Sequence, residues 1–167
     1  TSISERVRRI NAQRLTLLVT FGYNAFGSGN TFNSASGISV FYSARNVNAR
    51  LSRMLSEDVY EQLINGTEQR GRGVSTLTDV GVLQSVNCTS TLIEPGFMTN
   101  FEEAKLMRDP DYQTEAAEET CRGVCVFLAR NFVTRNELSN YPLLRTGSNS
   151  DFVYLLQLML NQNGFNL

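Results

Sequence analysis

The stretch Cys88-Thr89-Ser90-Thr91-Leu92-Ile93-Glu94-Pro95-Gly96-Phe97-Met98-Thr99-Asn100 decides how this chain is read. A short apolar run ends in one acid, Glu94, and a Pro-Gly pair breaks the backbone directly after it. A strand that ends in a carboxylate and then turns holds that carboxylate at its C-terminal edge. In open α/β sheets ligands bind at that edge. Glu94 is therefore the first candidate functional residue. The alternative for a lone Glu before proline is a solvated loop acid.

Downstream, Asn100 caps a short helix to about Met107, and Glu103 completes a capping box. Asp109 as N-cap and Pro110 at the first helical position open another helix, to about Asn131. Ala116, Ala117, Thr120, Val124, Phe127 and Leu128 are its expected buried side. Upstream, Ser2 and Glu5 form a capping box for a helix from about Ser4 to Gln13, with Arg6, Arg8 and Arg9 on its wet side.

Leu15 to Phe21 has the length and apolar density of a buried central strand. Gly22 to Ser36 is rich in Gly, Asn and Ser and reads as a long loop. Tyr23, Asn24 and Phe26 on it are candidates for a cleft wall, or for a surface excursion. Gly37 to Ser43 reads as a strand. Val47 to Ile64 reads as an amphipathic helix with Val47, Leu51, Leu55, Val59 and Leu63 on one stripe. Thr67 to Thr78 reads as a polar loop, whose Arg70 and Arg72 either clamp a carboxylate or stay solvated. Val80 to Leu83 is a short strand candidate. Strands alternating with helices predict an α/β fold with a mostly parallel, layered sheet flanked by helices.

The 167 residues suffice for one domain with a full core. A net charge of -1 offers nucleic acid no basic field. No apolar run reaches the length of a membrane span. Histidine is absent, which removes the commonest metal ligand and the usual proton carrier near neutral pH. The odd number of cysteines, Cys88, Cys121 and Cys125, argues against a disulfide framework. Cys121 and Cys125 share a helix face, as small apolar packing or as a redox or metal pair.

Taken together these segments resemble the zinc-dependent N-acetylmuramoyl-L-alanine amidases of bacterial and phage cell-wall hydrolysis. Ser2-Ile3-Ser4-Glu5-Arg6-Val7 resembles the family's helix-opening Leu-Ser-Glu-Arg. Val19 to Ala25, Val-Thr-Phe-Gly-Tyr-Asn-Ala, is similar to a strand ending in Ser-Ile-His-x-Asn-Ala. Gly37 to Ser43 resembles Gly-x-x-Val-Tyr-Tyr-Ser, and Arg72-Gly73-Val74 resembles an Arg-Gly-Val loop. Leu92 to Phe97 followed by Thr99-Asn100 is similar to Val-Glu-x-Gly-Phe-Leu-Ser-Asn. The resemblance covers about residues 2 to 131.

The resemblance implies an amidase-like α/β domain over 1–131 that lacks the family's N-terminal strands. It implies hydrolysis of the amide joining N-acetylmuramic acid to L-alanine, in peptidoglycan. Glu94 matches the family's assisting acid, and Asn24 and Arg72 become the expected substrate-binding residues. Zinc, held in the family by two histidines and a glutamate, is the implied cofactor. The family's later histidine falls on Gly22, which cannot ligate, and its first ligands lie upstream of the Ser-Glu-Arg helix. This chain is therefore expected to hold no zinc itself. Glu94 with Glu102 or Glu103 would make only a weak oxygen site for hard cations.

The functional expectation is an amidase-family protein of the cell envelope or extracellular space, impaired or inactive as this chain stands. The alternative is a pseudoenzyme: a non-catalytic peptidoglycan-binding or protein-interaction scaffold. Peptidoglycan is the expected partner, with a complementary N-terminal fragment or partner protein as a second. Residues 132–147 read as a linker. Residues 148–167, with Val153, Leu156, Leu160 and Gly164-Phe165, resemble the opening helix of a peptidoglycan-binding repeat.

Overall fold

A computed structural model of the chain describes residues 1–134. Most of the expected linker and the whole expected C-terminal helix lie outside the described residues. In chain order the elements are α1 Ile3–Ala12, β1 Leu17–Phe21, β2 Ile38–Tyr42, α2 Ala49–Gly66 and β3 Gly71–Thr76. They continue with α3 Gly81–Gln84, β4 Thr89–Glu94, α4 Phe101–Leu106 and α5 Pro110–Phe127.

The sheet order is β1-β4-β2-β3. β1 runs parallel to β4 and β3 parallel to β2, but β2 and β4 are antiparallel, with Ser39 opposite Glu94. The expectation of a mostly parallel sheet holds for two of these pairings, and the central one reverses direction. This reversal gathers the site. The C-terminal ends of β1 and β4 lie beside the starts of β2 and β3, so the loop from Gly22 to Ser36, the turn after Glu94 and Arg72 meet at one end of the sheet.

β4 is the deepest strand, with Thr89 to Ile93 all buried. The core sets Leu55, Val59 and Leu63 of α2 against Ile38, Val40 and Ile93 of the sheet and Ala116 of α5. The expected α2 stripe drifts. Val47 and Leu51 are exposed, while Ser52 and Ser56 are buried with Leu55, Val59 and Leu63. A strict spacing of four gains about 40° per step on a helix of 3.6 residues per turn, so the buried face slips to positions three and four apart. The two serines are satisfied: Ser52 Oγ accepts from Ser90 N at 3.0 Å, and Ser56 and Thr91 hydroxyls bond at 2.8 Å. Asn46 adds a buried hub whose Nδ2 donates to the carbonyls of Leu83, Val86 and Cys88.

Four further expectations change. Thr67 to Thr78 contains a strand, β3, whose Gly and Arg content hides it because it is a half-exposed edge strand. Val80 to Leu83 forms a short helical turn, α3, that buries Leu83. β1 reads as central but occupies a sheet edge among the described residues, and Phe21 is 51% exposed. On α5, Ala116 and Thr120 are buried as expected, but Ala117 and Leu128 face outward and Tyr112 and Gly123 are buried instead.

Gly123 explains how tightly α5 lies on α2. A Cβ there would stand 2.4 Å from Val59 Cα and 2.9 Å from Asp58 O. The turn after Glu94 is held by two side chains from the helices below it. Glu103 is only 8% exposed. Its carboxylate accepts from Phe97 N at 2.7 Å and from Gly37 N at 2.7 Å, tying the turn to the start of β2. Tyr112 donates its hydroxyl to Pro95 O at 2.6 Å.

Two substitutions test this packing by urea unfolding. Gly123→Ala must push the α2–α5 backbones apart and is expected to cost about 1–3 kcal/mol. Glu103→Ala strands two buried N–H groups and is expected to cost about 2–4 kcal/mol, with Glu103→Gln milder because one acceptor survives. A Glu103→Ala protein as stable as the parent would show that the carboxylate does not hold the turn.

Candidate functional site

β4 delivers Glu94 half-buried to the mouth of the sheet. Burial pushes its carboxyl above the ordinary Glu range, and a hydrogen bond from the Asn24 side chain draws it partly back. Desolvation disfavours the charge while the amide steadies it, so this acid takes up and releases a proton at milder pH than an exposed glutamate.

Asn24 is placed by backbone rather than by chance of a floppy loop. Its N–H donates to Gly96 O at 2.9 Å and its carbonyl accepts from Met98 N at 2.8 Å, a parallel bridge that prolongs the β1–β4 pairing past Pro95. Its Oδ1 accepts from Ala25 N at 2.8 Å. Sequence-predicted Glu94 and Asn24 thus stand together.

Arg72 reaches the same end by a different device. Ile38 pairs with Gly71 and Ser39 with Gly73, so Arg72 is the extra residue of a β-bulge. Gly73 carries the positive φ, +95°, that the bulge needs. The bulge turns Arg72 over the buried Phe97 ring, 5.0 Å from its centroid, and lets it donate to Ser36 O at 3.2 Å. Arg72 makes these contacts rather than one with Glu94, so it forms the wall and leaves the acid to Asn24.

Gly22 continues the strand, donating its N–H to Ile93 O at 2.9 Å. A Cβ added there would meet Leu92 Cδ1 at 3.5 Å and Glu94 Cγ at 4.0 Å, which is ordinary contact. The position has room for a Cβ beside Glu94 and carries none. Beyond it, Phe21, Gly22, Tyr23, Pro95, Tyr112 and Gln113 line a cavity of ≈ 260 Å³. Tyr23 is exposed here, and Tyr112's phenol is pushed up by burial with Glu103 adding to it.

The described residues do not fit a zinc centre. Among the described residues no group of three or more His, Cys, Asp and Glu side chains could hold a metal ion. The oxygen site expected from Glu94 with Glu102 or Glu103 is also corrected. Both Glu103 oxygens are engaged by backbone amides, and Glu102 is paired with Lys105 Nζ at 3.0 Å. Cys88 is buried, and Cys121 and Cys125 sit exposed and half-buried on α5, all as free thiols.

Sequence reasoning missed Glu103 and Tyr112 as builders of this site. Glu103 was read as a capping residue and as a weak oxygen ligand beside Glu94, yet Asn100 accepts from its backbone N–H at 3.2 Å while its side chain turns inward. Tyr112 could have been found: with Ala116 and Thr120 it completes a stripe of fours along α5.

The profile of the family described as N-acetylmuramoyl-L-alanine amidase matches residues 1–126. The Bacillus subtilis (strain 168) protein YqiI is 31% identical over 123 residues, 74% of this chain and 56% of that protein. The germination-specific N-acetylmuramoyl-L-alanine amidase of the same organism is 27% identical over 123 residues, 73% of this chain and 48% of its own length. The chain therefore spans about half the length of the curated relatives it matches. Among solved structures, the N-acetylmuramoyl-L-alanine amidase from Clostridium difficile 630 is similar with a TM-score of 0.70 at 28% identity, covering 77% of this chain and 66% of that one. A profile match over three quarters of the residues establishes that this chain belongs to the N-acetylmuramoyl-L-alanine amidase family.

Proposed function

We propose that these residues form the acid-bearing wall of a peptidoglycan amidase site, and that the chain by itself does not hydrolyse the amide. Glu94 is the proton-handling group and Asn24 fixes its orientation. Arg72, braced by Phe97 and Ser36, is the cation best placed along the wall to receive a carboxylate of the stem peptide. The substrate is the bond between N-acetylmuramic acid and L-alanine, and the setting is the cell envelope or extracellular space. No described helix is long and apolar enough to cross a membrane.

One observation carries the reading. Glu94 stands half-buried beside Gly22, a position that would accept a Cβ without clash and has no side chain to ligate. Metal-assisted hydrolysis needs three protein ligands and an open coordination site. A carboxylate and a neighbouring amide do not reach that number, so no metal-dependent step is assigned to these residues. A complementary N-terminal segment or a partner protein is the proposed source of what is lacking. Peptidoglycan retention remains within the reach of this chain alone.

Titration, cleavage, retention and NMR measurements test this. Isothermal titration with zinc is expected to give no tight stoichiometric binding, and incubation with muropeptides and zinc no new L-alanine amino termini; retention on purified sacculi is expected to persist. Tight one-to-one zinc binding with amide cleavage would overturn the assignment. Carboxyl NMR is expected to place Glu94 above the ordinary Glu range, and Asn24→Ala to raise it further, because a stabiliser of the charged form is lost. A raised folded-state value means that the protonated acid favours the fold. Its contribution is full below the ordinary Glu value and is lost as pH rises through the raised one. Glu94→Gln is expected to remove that pH dependence. A Glu94 that titrates like an exposed glutamate would refute the tuned acid.

A further inference from the structure

The outer wall of the cleft carries apolar surface that the reaction does not use. Phe32 is 62%, Met98 51% and Phe101 52% exposed. Phe32 and Phe101 pack edge to face, with centroids 5.2 Å apart and planes at 75°. We propose that these three side chains form a stacking platform for a hexopyranose ring of the sugar strand of peptidoglycan, beside the acid that serves its peptide. The inference rests on the peptidoglycan reading above and adds a subsite for the glycan.

The platform is built rather than incidental. The Gly22–Ser36 loop would be costly to order, yet it is stapled to the turn after Glu94. Phe26 N donates to Thr99 Oγ1 at 3.0 Å, and Asn33 N donates to Thr99 O at 2.8 Å. Asn33 Nδ2 closes the loop on Phe26 O at 3.0 Å. Lys105 Nζ lies 4.2 Å from the Phe101 centroid and is itself gripped by Glu102. The backbone that carries Phe32 and Met98 is thus fixed before any ligand arrives, which lowers the entropy that binding must overcome.

The chemistry around the rings selects a sugar. A pyranose presents a face of C–H groups, which suits an aromatic face, and a rim of hydroxyl and acetamido groups. Beside Phe32 and Met98 lies a notch of ≈ 90 Å³ with Gly29, Asn30, Thr31 and Thr99 on its walls. These are neutral groups that donate and accept, and the notch has the scale of a small substituent such as an acetamido group. The stem peptide, by contrast, is rich in carboxylates, and the platform's one cation is already paired with Glu102. The backbone links the platform to the site: Met98 N donates to the carbonyl of Asn24, whose side chain bonds Glu94.

The test uses the full 167-residue chain. Chitotetraose, a neutral sugar strand without peptide, is titrated while the Phe ring and Met methyl signals are followed by NMR. The tripeptide L-Ala-γ-D-Glu-L-Lys is titrated in parallel. Chitotetraose is expected to shift Met98, Phe32 and Phe101 at millimolar concentrations, and the tripeptide to leave them in place. Phe32→Ala and Phe101→Ala are each expected to weaken the sugar about five-fold, the size of one aromatic contact. Thermal melting should be little changed, because both side chains are exposed. Silence of all three residues toward chitotetraose, or a response to the tripeptide instead, overturns the platform. Retention on sacculi separates the two readings. A retained protein whose platform is silent loses the glycan subsite alone, whereas a protein that sacculi do not hold loses the peptidoglycan reading itself.

Discussion

The antiparallel ladder between β2 and β4 is the constraint on which the molecule's working end depends. Had these strands run parallel, the start of β2 would lie at the opposite edge from Glu94. Because they oppose, Ser39 pairs with Glu94, and Gly37 comes within reach of the same carboxylate that holds Phe97. Glu103 then joins two chain segments that the reversal has brought side by side. The loop between β1 and β2 must span only one end of the sheet, and it becomes a wall instead of a crossover.

The amphipathic and capped elements were legible because local physics decides them. Ser2, Asn100 and Asp109 each accept from the backbone N–H groups their positions predict. β2 and β4 carry enough apolar and β-branched residues to be read directly. β3 was not legible. Gly71, Arg72 and Gly73 lack strand propensity, and the pairing with β2 that makes them a strand comes from outside the segment. The edge position of β1 was equally hidden, since an apolar run reports how much cover a strand suits and not which neighbours it has.

The site divides in the same way. Glu94 announced itself through the Pro-Gly break, and Asn24 through its place on a long Gly- and Asn-rich loop. Their hydrogen bond joins residues seventy apart in sequence, which only the β1–β4 pairing brings together. Arg72 was read for its charge, whereas its position comes from a bulge that no composition reveals. Glu103 was read as a capping acid and as half of a weak oxygen site, because a buried carboxylate between two amides looks in sequence like any other acid. Gly22 was read as a missing ligand, and its surroundings add that the vacancy is steric room and not a clash avoided.

The polar seam between α2 and β4 has a consequence for motion. Ser52, Ser56, Ser90 and Thr91 are fully buried and bonded to one another or to nearby backbone. An oily seam tolerates axial sliding, because dispersion has no preferred notch; hydroxyl pairs work like the teeth of a gear and permit a single setting. Strand and helix therefore behave as one stiff chassis. Whatever breathing the domain undergoes must be taken up by the rim, while Glu94 keeps its position.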